Sequence, residues 1–82
     1  MPRLVPRSTR QIAHLLTHFG FHLARSRKEQ VWINDTTGRR AVVPPGRSSG
    51  QIPVRTVISI LDQAGISREE ALGFWGIGRS DG

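Results

Sequence analysis

Between Phe21 and Pro44 the chain alternates with a period of two in three short runs. Phe21, Leu23 and Arg25 alternate with His22, Ala24 and Ser26. Val31 and Ile33 alternate with Gln30, Trp32 and Asn34. Ala41 and Val43 alternate with Arg40 and Val42. A period of two sends successive side chains to opposite faces, so each run reads as a half-buried strand. Two polar breaks separate the runs. One is Arg27-Lys28-Glu29, and the other is Asp35-Thr36-Thr37-Gly38, where Gly38 can take a positive φ. Such breaks make hairpins, and the three strands form an antiparallel meander. A meander this small is not stable alone and needs helices against one face. The reading turns Val31 and Ile33 to that covered face and Gln30, Trp32 and Asn34 to water.

The flanking segments supply the helices. Ser8 is a good N-cap, and Gln11 completes a capping box with it. Ile12, Leu15, Leu16 and Phe19 follow at one-face helical spacing, and Gly20 is a stop. The spacing predicts a first helix from Thr9 to Phe19. After the third strand, Pro44 to Gln51 is a loop by composition. Pro53 suits the first turn of a helix, where a missing N–H costs nothing. Val54, Val57, Ile58 and Leu61 make the next apolar stripe, which Gly65 ends. Ser67 and Glu70 form a second capping box, with Ile66 and Ala71 as a weak hydrophobic staple, and open a last helix carrying Leu72, Phe74 and Trp75. Phe74 and Trp75 read as its apolar anchors. The expected fold class is α+β: a two-layer sandwich of order α-β-β-β-α-α, with helices on one face of a three-stranded antiparallel sheet and the other face open. Residues 1–7 and 76–82 read as flexible tails around a single domain over 8–75.

Eighty-two residues leave room for one small core and no deep substrate cavity. Cysteine is absent, which removes disulfides and thiolate metal sites. No apolar run approaches membrane-spanning length and no signal peptide opens the chain, so a cytoplasmic protein is the expectation. Twelve Lys and Arg against six Asp and Glu give a formal charge of +6, and Lys28 is the only Lys. Arginine forks match phosphate oxygens, so the charge points to an acidic partner, either nucleic acid or an acidic protein, without favouring one. Arg25, Arg27, Lys28, Arg39, Arg40 and Arg47 are the candidate phosphate contacts. Trp32, on the face of Gln30, either stacks on an unpaired base or anchors a protein partner, or else is a core residue in a slipped register. His14 and His18 sit four apart, but nothing near them completes a metal set, so they read as solvated side chains and no metal is expected. Ser8, Ser48, Ser49 and Ser67 have no base at telling spacing and read as caps and loop residues.

These elements, in this order, resemble the HicA family of toxin–antitoxin systems. The likeness runs over roughly residues 8 to 72. It rests on the Gly20-Phe21 exit from the first helix, Arg25, the run Gly38-Arg39-Arg40-Ala41-Val42-Val43-Pro44, and the run from Thr56 to Glu70 with its Ala64-Gly65 break and capped restart. The resemblance implies a double-stranded-RNA-binding-domain-like fold, cleavage of messenger RNA without a cofactor, and a HicB-like antitoxin as partner. It also implies a catalytic histidine at the start of the second strand, in a Gly-Ser-His motif. Here Lys28-Glu29-Gln30 stands at that motif, with Gln30 in place of the histidine. A glutamine amide hydrogen-bonds but does not exchange protons near neutral pH, so cleavage is expected to be weak or lost. His22, if it faces Gln30 across the hairpin, is the alternative imidazole; otherwise it is a surface residue.

Overall fold

The computed structural model describes residues 4–45 and 51–76. In chain order the elements are β1 (Arg7–Ser8), α1 (Thr9–His18), β2 (His22–Ser26), β3 (Gln30–Ile33), β4 (Arg40–Val43), β5 (Gln51–Ile52), α2 (Val54–Ala64) and α3 (Arg68–Trp75). The three-stranded antiparallel sheet has the order β2-β3-β4. The helices lie on one face, with α2 packed on β4 and α1 and α3 in contact. The α+β class and the two-layer arrangement are those expected.

Local chemistry sets the ends of the elements. Ser8 Oγ accepts from the Gln11 N–H while Gln11 Oε1 accepts from the Ser8 N–H, closing the first capping box. Ser67 and Glu70 close the second in the same way. Pro53 stands one residue before α2 as its N-cap rather than inside its first turn. Gly65, at φ 74°, ends α2 in the left-handed region. A β-carbon at Gly65 would run into the Arg39 side chain, which lies against this helix end. Arg39 thus brings positive charge to the C-terminus of a helix with no basic residue in its last turn.

The core lies between the sheet and the helices. Ile12, Leu15 and Leu16 of α1 and Val57, Ile60 and Leu61 of α2 meet Trp32, Ala41 and Val43 of the sheet. Here the expected face of β3 is corrected. Trp32 is 6% exposed, and it pairs with Ala41, which is fully buried. Val31 and Ile33 are only half-buried and belong to the open face. Asn34, expected outside, is also buried. Its Nδ2 donates to the Phe19 carbonyl at 3.0 Å, and its Oδ1 accepts from the N–H groups of Thr36 and Thr37. One amide therefore shapes the turn after β3 and ties that turn to the end of α1. Buried polar groups persist where their bonding capacity is used, as it is here.

The remaining differences lie at the edges. Leu4 and Arg7 are buried, so residues 4–7 belong to the packed unit rather than to a free tail; residues 1–3 and 77–82, also expected as tails, lie outside the described residues. Arg7 and Ser8 pair with Ile52 and Gln51 in a separate two-stranded ladder, where the sequence reading had Arg7 in a tail and Gln51 in a loop. Phe74 is 36% exposed, so it anchors α3 less than Trp75 does. Along the sheet, β2 carries an irregularity between Leu23 and Arg25, which leaves Ala24 outside the pairing. Among the described residues, no helix is long and apolar enough to cross a membrane.

Arg7 has a measurable consequence. Its guanidinium lies 4.4 Å from the centre of the Trp75 ring, yet its buried Nε and Nη2 have no hydrogen-bond partner among the described residues. Burial pushes its pKa below the ordinary arginine value. The charged form is thus the one opposed by folding, and this cost persists at every pH below the depressed value. The ring contact contributes about 0.5–2 kcal/mol, while each unpartnered buried donor costs about 1–3 kcal/mol. Arg7→Met keeps the apolar stem and removes the cation. It is expected to raise stability by about 1 kcal/mol, equally at acid and neutral pH, in urea unfolding. A loss of stability would mean that the ring contact outweighs the desolvation.

Candidate nucleic-acid interface

The strand register sorts the side chains into rows. On the open face, His22, Ile33 and Arg40 form one row, and Arg25, Val31 and Val42 form the next. On the helix side, Leu23, Trp32 and Ala41 form one row, and Ser26, Gln30 and Val43 the other. The open face is therefore an apolar strip of Val31, Ile33 and Val42 with an arginine on each flank. Arg25, Arg27, Lys28 and Arg40 line a shallow groove there, together with Glu29 and Val31. All four cations are exposed, and no acidic group pairs with them among the described residues. Four cations against one carboxylate give the groove a positive potential that attracts polyanions.

The expected site residues are not gathered in one place. Arg25 and Arg40 share the open face, and Arg27 and Lys28 stand in the adjoining turn. Arg39 leaves the group for the end of α2. Trp32 is in the core, so the expected base-stacking or partner-anchoring role is withdrawn. Arg47 lies outside the described residues. Gln30 does share a face with Trp32, as expected, but it is the helix-side face. There its Oε1 accepts from the Trp32 indole N–H at 3.1 Å, and the side chain is half-buried. Gln30 sits at the hairpin end of the sheet, beside Arg27 and Lys28 in sequence.

His22 does not neighbour Gln30. It is paired with Ile33, at the other end of the hairpin, and its Nε2 lies 3.1 Å from Asp35 Oδ2. That expectation is corrected by register: Gln30 is opposite Ser26. His14 and His18 are exposed on α1, away from the sheet. Among the described residues, no group of three His, Asp or Glu side chains could hold a metal ion.

The two edges of the sheet differ. On β4, the outward Val42 N–H donates to Gln63 Oε1 of α2 at 3.0 Å. On β2 all five residues are exposed, including Leu23 at 44%. The break at Ala24 and the charge of Arg25 blunt this edge against further pairing. Sequence reasoning missed the Gln63 bond, because a side chain reaching from a helix to a strand 21 residues away leaves no local signal.

Fold and site together define a small α+β domain with a cationic, partly apolar open sheet face. No family model matches the chain, and no curated protein matches it.

Proposed function

We propose that this chain is a HicA-like toxin component that holds messenger RNA in the cytoplasm and cuts it weakly or not at all. One observation carries the binding half of this reading: Arg25, Arg27, Lys28 and Arg40 converge on a single groove of the open sheet face. Guanidinium forks on a fixed sheet suit phosphate oxygens, and the half-buried Val31 and Ile33 between them suit sugar surfaces. The resemblance over residues 8 to 72 supports the toxin half. The same face would receive a HicB-like antitoxin through acidic and apolar groups, and such a cover would block RNA.

Gln30 supports the loss of cleavage. Its amide is held by Trp32 and cannot trade protons. That geometry also favours a second reading, a non-catalytic module of the same fold that binds RNA or only a protein. The absence of an imidazole at the hairpin end, among the described residues, is its specific support.

The binding claim is tested by titrating a labelled messenger-RNA fragment at several salt concentrations. Affinity should fall steeply with salt. Arg25→Ala and Arg40→Ala should each weaken binding and lower the log–log salt slope by about 1, with the fold unchanged by circular dichroism. Salt-independent binding, or affinity indifferent to both substitutions, would count against the open face as the RNA surface.

A further inference from the structure

With Trp32 in the core, the open sheet face offers no Phe, Tyr or Trp ring. Phosphates can be held there, but an unpaired base has no aromatic surface to stack on. Exposed rings occur instead on the helix side. His18, the last residue of α1, lies 4.8 Å from Phe74 of α3 between ring centres, with the planes inclined at 36°. It also meets the edge of Phe19 at 5.1 Å. His18 and Phe74 are both exposed. Burying an aromatic ring is ordinarily favourable, yet Phe74 keeps 36% of its surface in water.

The fixed charges on the helix faces that carry these rings are Arg10 on α1 and Glu70 on α3. Arg10, His14 and His18 stand at four-residue spacing along α1, all exposed, in a helix without a single Asp or Glu. Four-residue steps on a helix place side chains about 6 Å apart along its axis, on nearly one face. Glu70 lies one turn before Phe74, but its carboxylate is tied to the Ser67 N–H at 2.8 Å, at the start of α3. A helix line of one guanidinium and two imidazoles ending at exposed rings offers N–H donors to the phosphates of a single polynucleotide strand and ring faces to one of its bases.

We propose that the His18–Phe74 pair, edged by Phe19, is a stacking shelf for one unpaired nucleobase, with Arg10 and His14 taking phosphates of the same strand. This rests on the RNA reading above and divides the work between two surfaces. The sheet groove holds phosphates without regard to base pairing, and the shelf selects strands with free bases.

The test uses the whole chain and three probes: a short labelled oligouridine, the same strand built from abasic sugars, and a blunt RNA duplex. The wild-type protein is expected to bind oligouridine about tenfold more tightly than the abasic strand. Phe74→Leu and His18→Gln, both checked for an unchanged urea midpoint, should each erase most of that difference and leave duplex binding as it was. Equal affinity for the base-bearing and abasic strands would overturn the proposal. So would single-strand binding indifferent to both substitutions, and the rings would then be a protein contact. In those two cases duplex binding with the expected salt slope would leave the sheet-face reading standing. Absence of all RNA binding would remove both.

Discussion

Gln30→His is expected to yield a protein that cleaves RNA at least about 100-fold faster than the parent chain, with a chelator present. Under the proposed function an imidazole at position 30 would act from the hairpin end of the helix-side face, around the sheet end from the cationic groove. The position is half-buried, next in sequence to a turn carrying Arg27 and Lys28. The Trp32 indole N–H, now donating to the Gln30 amide at 3.1 Å, would donate to one ring nitrogen instead. Release of that bond frees the nitrogen to take up a proton, and the imidazolium so formed is the species that can protonate a departing oxygen, whereas the neutral ring only hydrogen-bonds it. A glutamine offers the same reach and polarity without the exchangeable proton. Single-turnover cleavage of a labelled messenger-RNA fragment measures the gain, and induced expression should then arrest growth. If the variant keeps its fold and binds RNA yet cuts no faster, position 30 is not where cleavage is governed. The weaker toxin reading would then give way to the non-catalytic module.

The helices were legible because their signals are local. Ser8 with Gln11, and Ser67 with Glu70, each lie within one turn, and both boxes are present in the fold. The glycines that stop the first two helices act on their own backbone. Gly38 likewise takes the positive φ expected of it, 77°. The strands were legible as strands, but the faces of β3 were not. Both of its alternating sets contain apolar side chains, Val31 and Ile33 on one side and Trp32 on the other. Counting residues favoured the pair. The fold buries the single larger ring, and Asn34 follows it inward because three hydrogen bonds await its amide. The pairing of Arg7-Ser8 with Gln51-Ile52 was beyond reach, since two-residue strands carry no period.

The site was legible as a set of cations and not as a place. Charge composition identifies Arg and Lys without saying which way each points. Register then sends Arg25 and Arg40 to one face and Gln30 to the other, while Arg39 turns toward the end of α2. The shift of β2 around Ala24 had the same kind of effect. An uninterrupted alternation would put Leu23 and Arg25 on one side, but the bulge sets Leu23 beside Trp32 and Arg25 beside Val31. The cationic groove therefore depends on an irregularity that no periodic reading would supply.

That register is itself open to a mutational test with a large expected effect. Trp32→Ala should destabilise the protein by about 3–5 kcal/mol, the usual cost of emptying a buried aromatic site. Small domains have total stabilities of about 5–15 kcal/mol, so this variant should be partly unfolded in dilute urea. Val31→Ala and Ile33→Ala, one position to either side, should cost about 1 kcal/mol each, because both side chains are half-exposed before the change. Urea midpoints at constant slope give all three values. The contrast matters more than any single number. If Val31 and Ile33 faced the helices, the costs would be exchanged, Trp32→Ala would be mild, and Arg25 and Arg40 would be turned out of the groove. A mild Trp32→Ala beside a severe Val31→Ala would thus remove the core arrangement and the proposed RNA-binding face together, since both follow from the same alternation of four residues in β3.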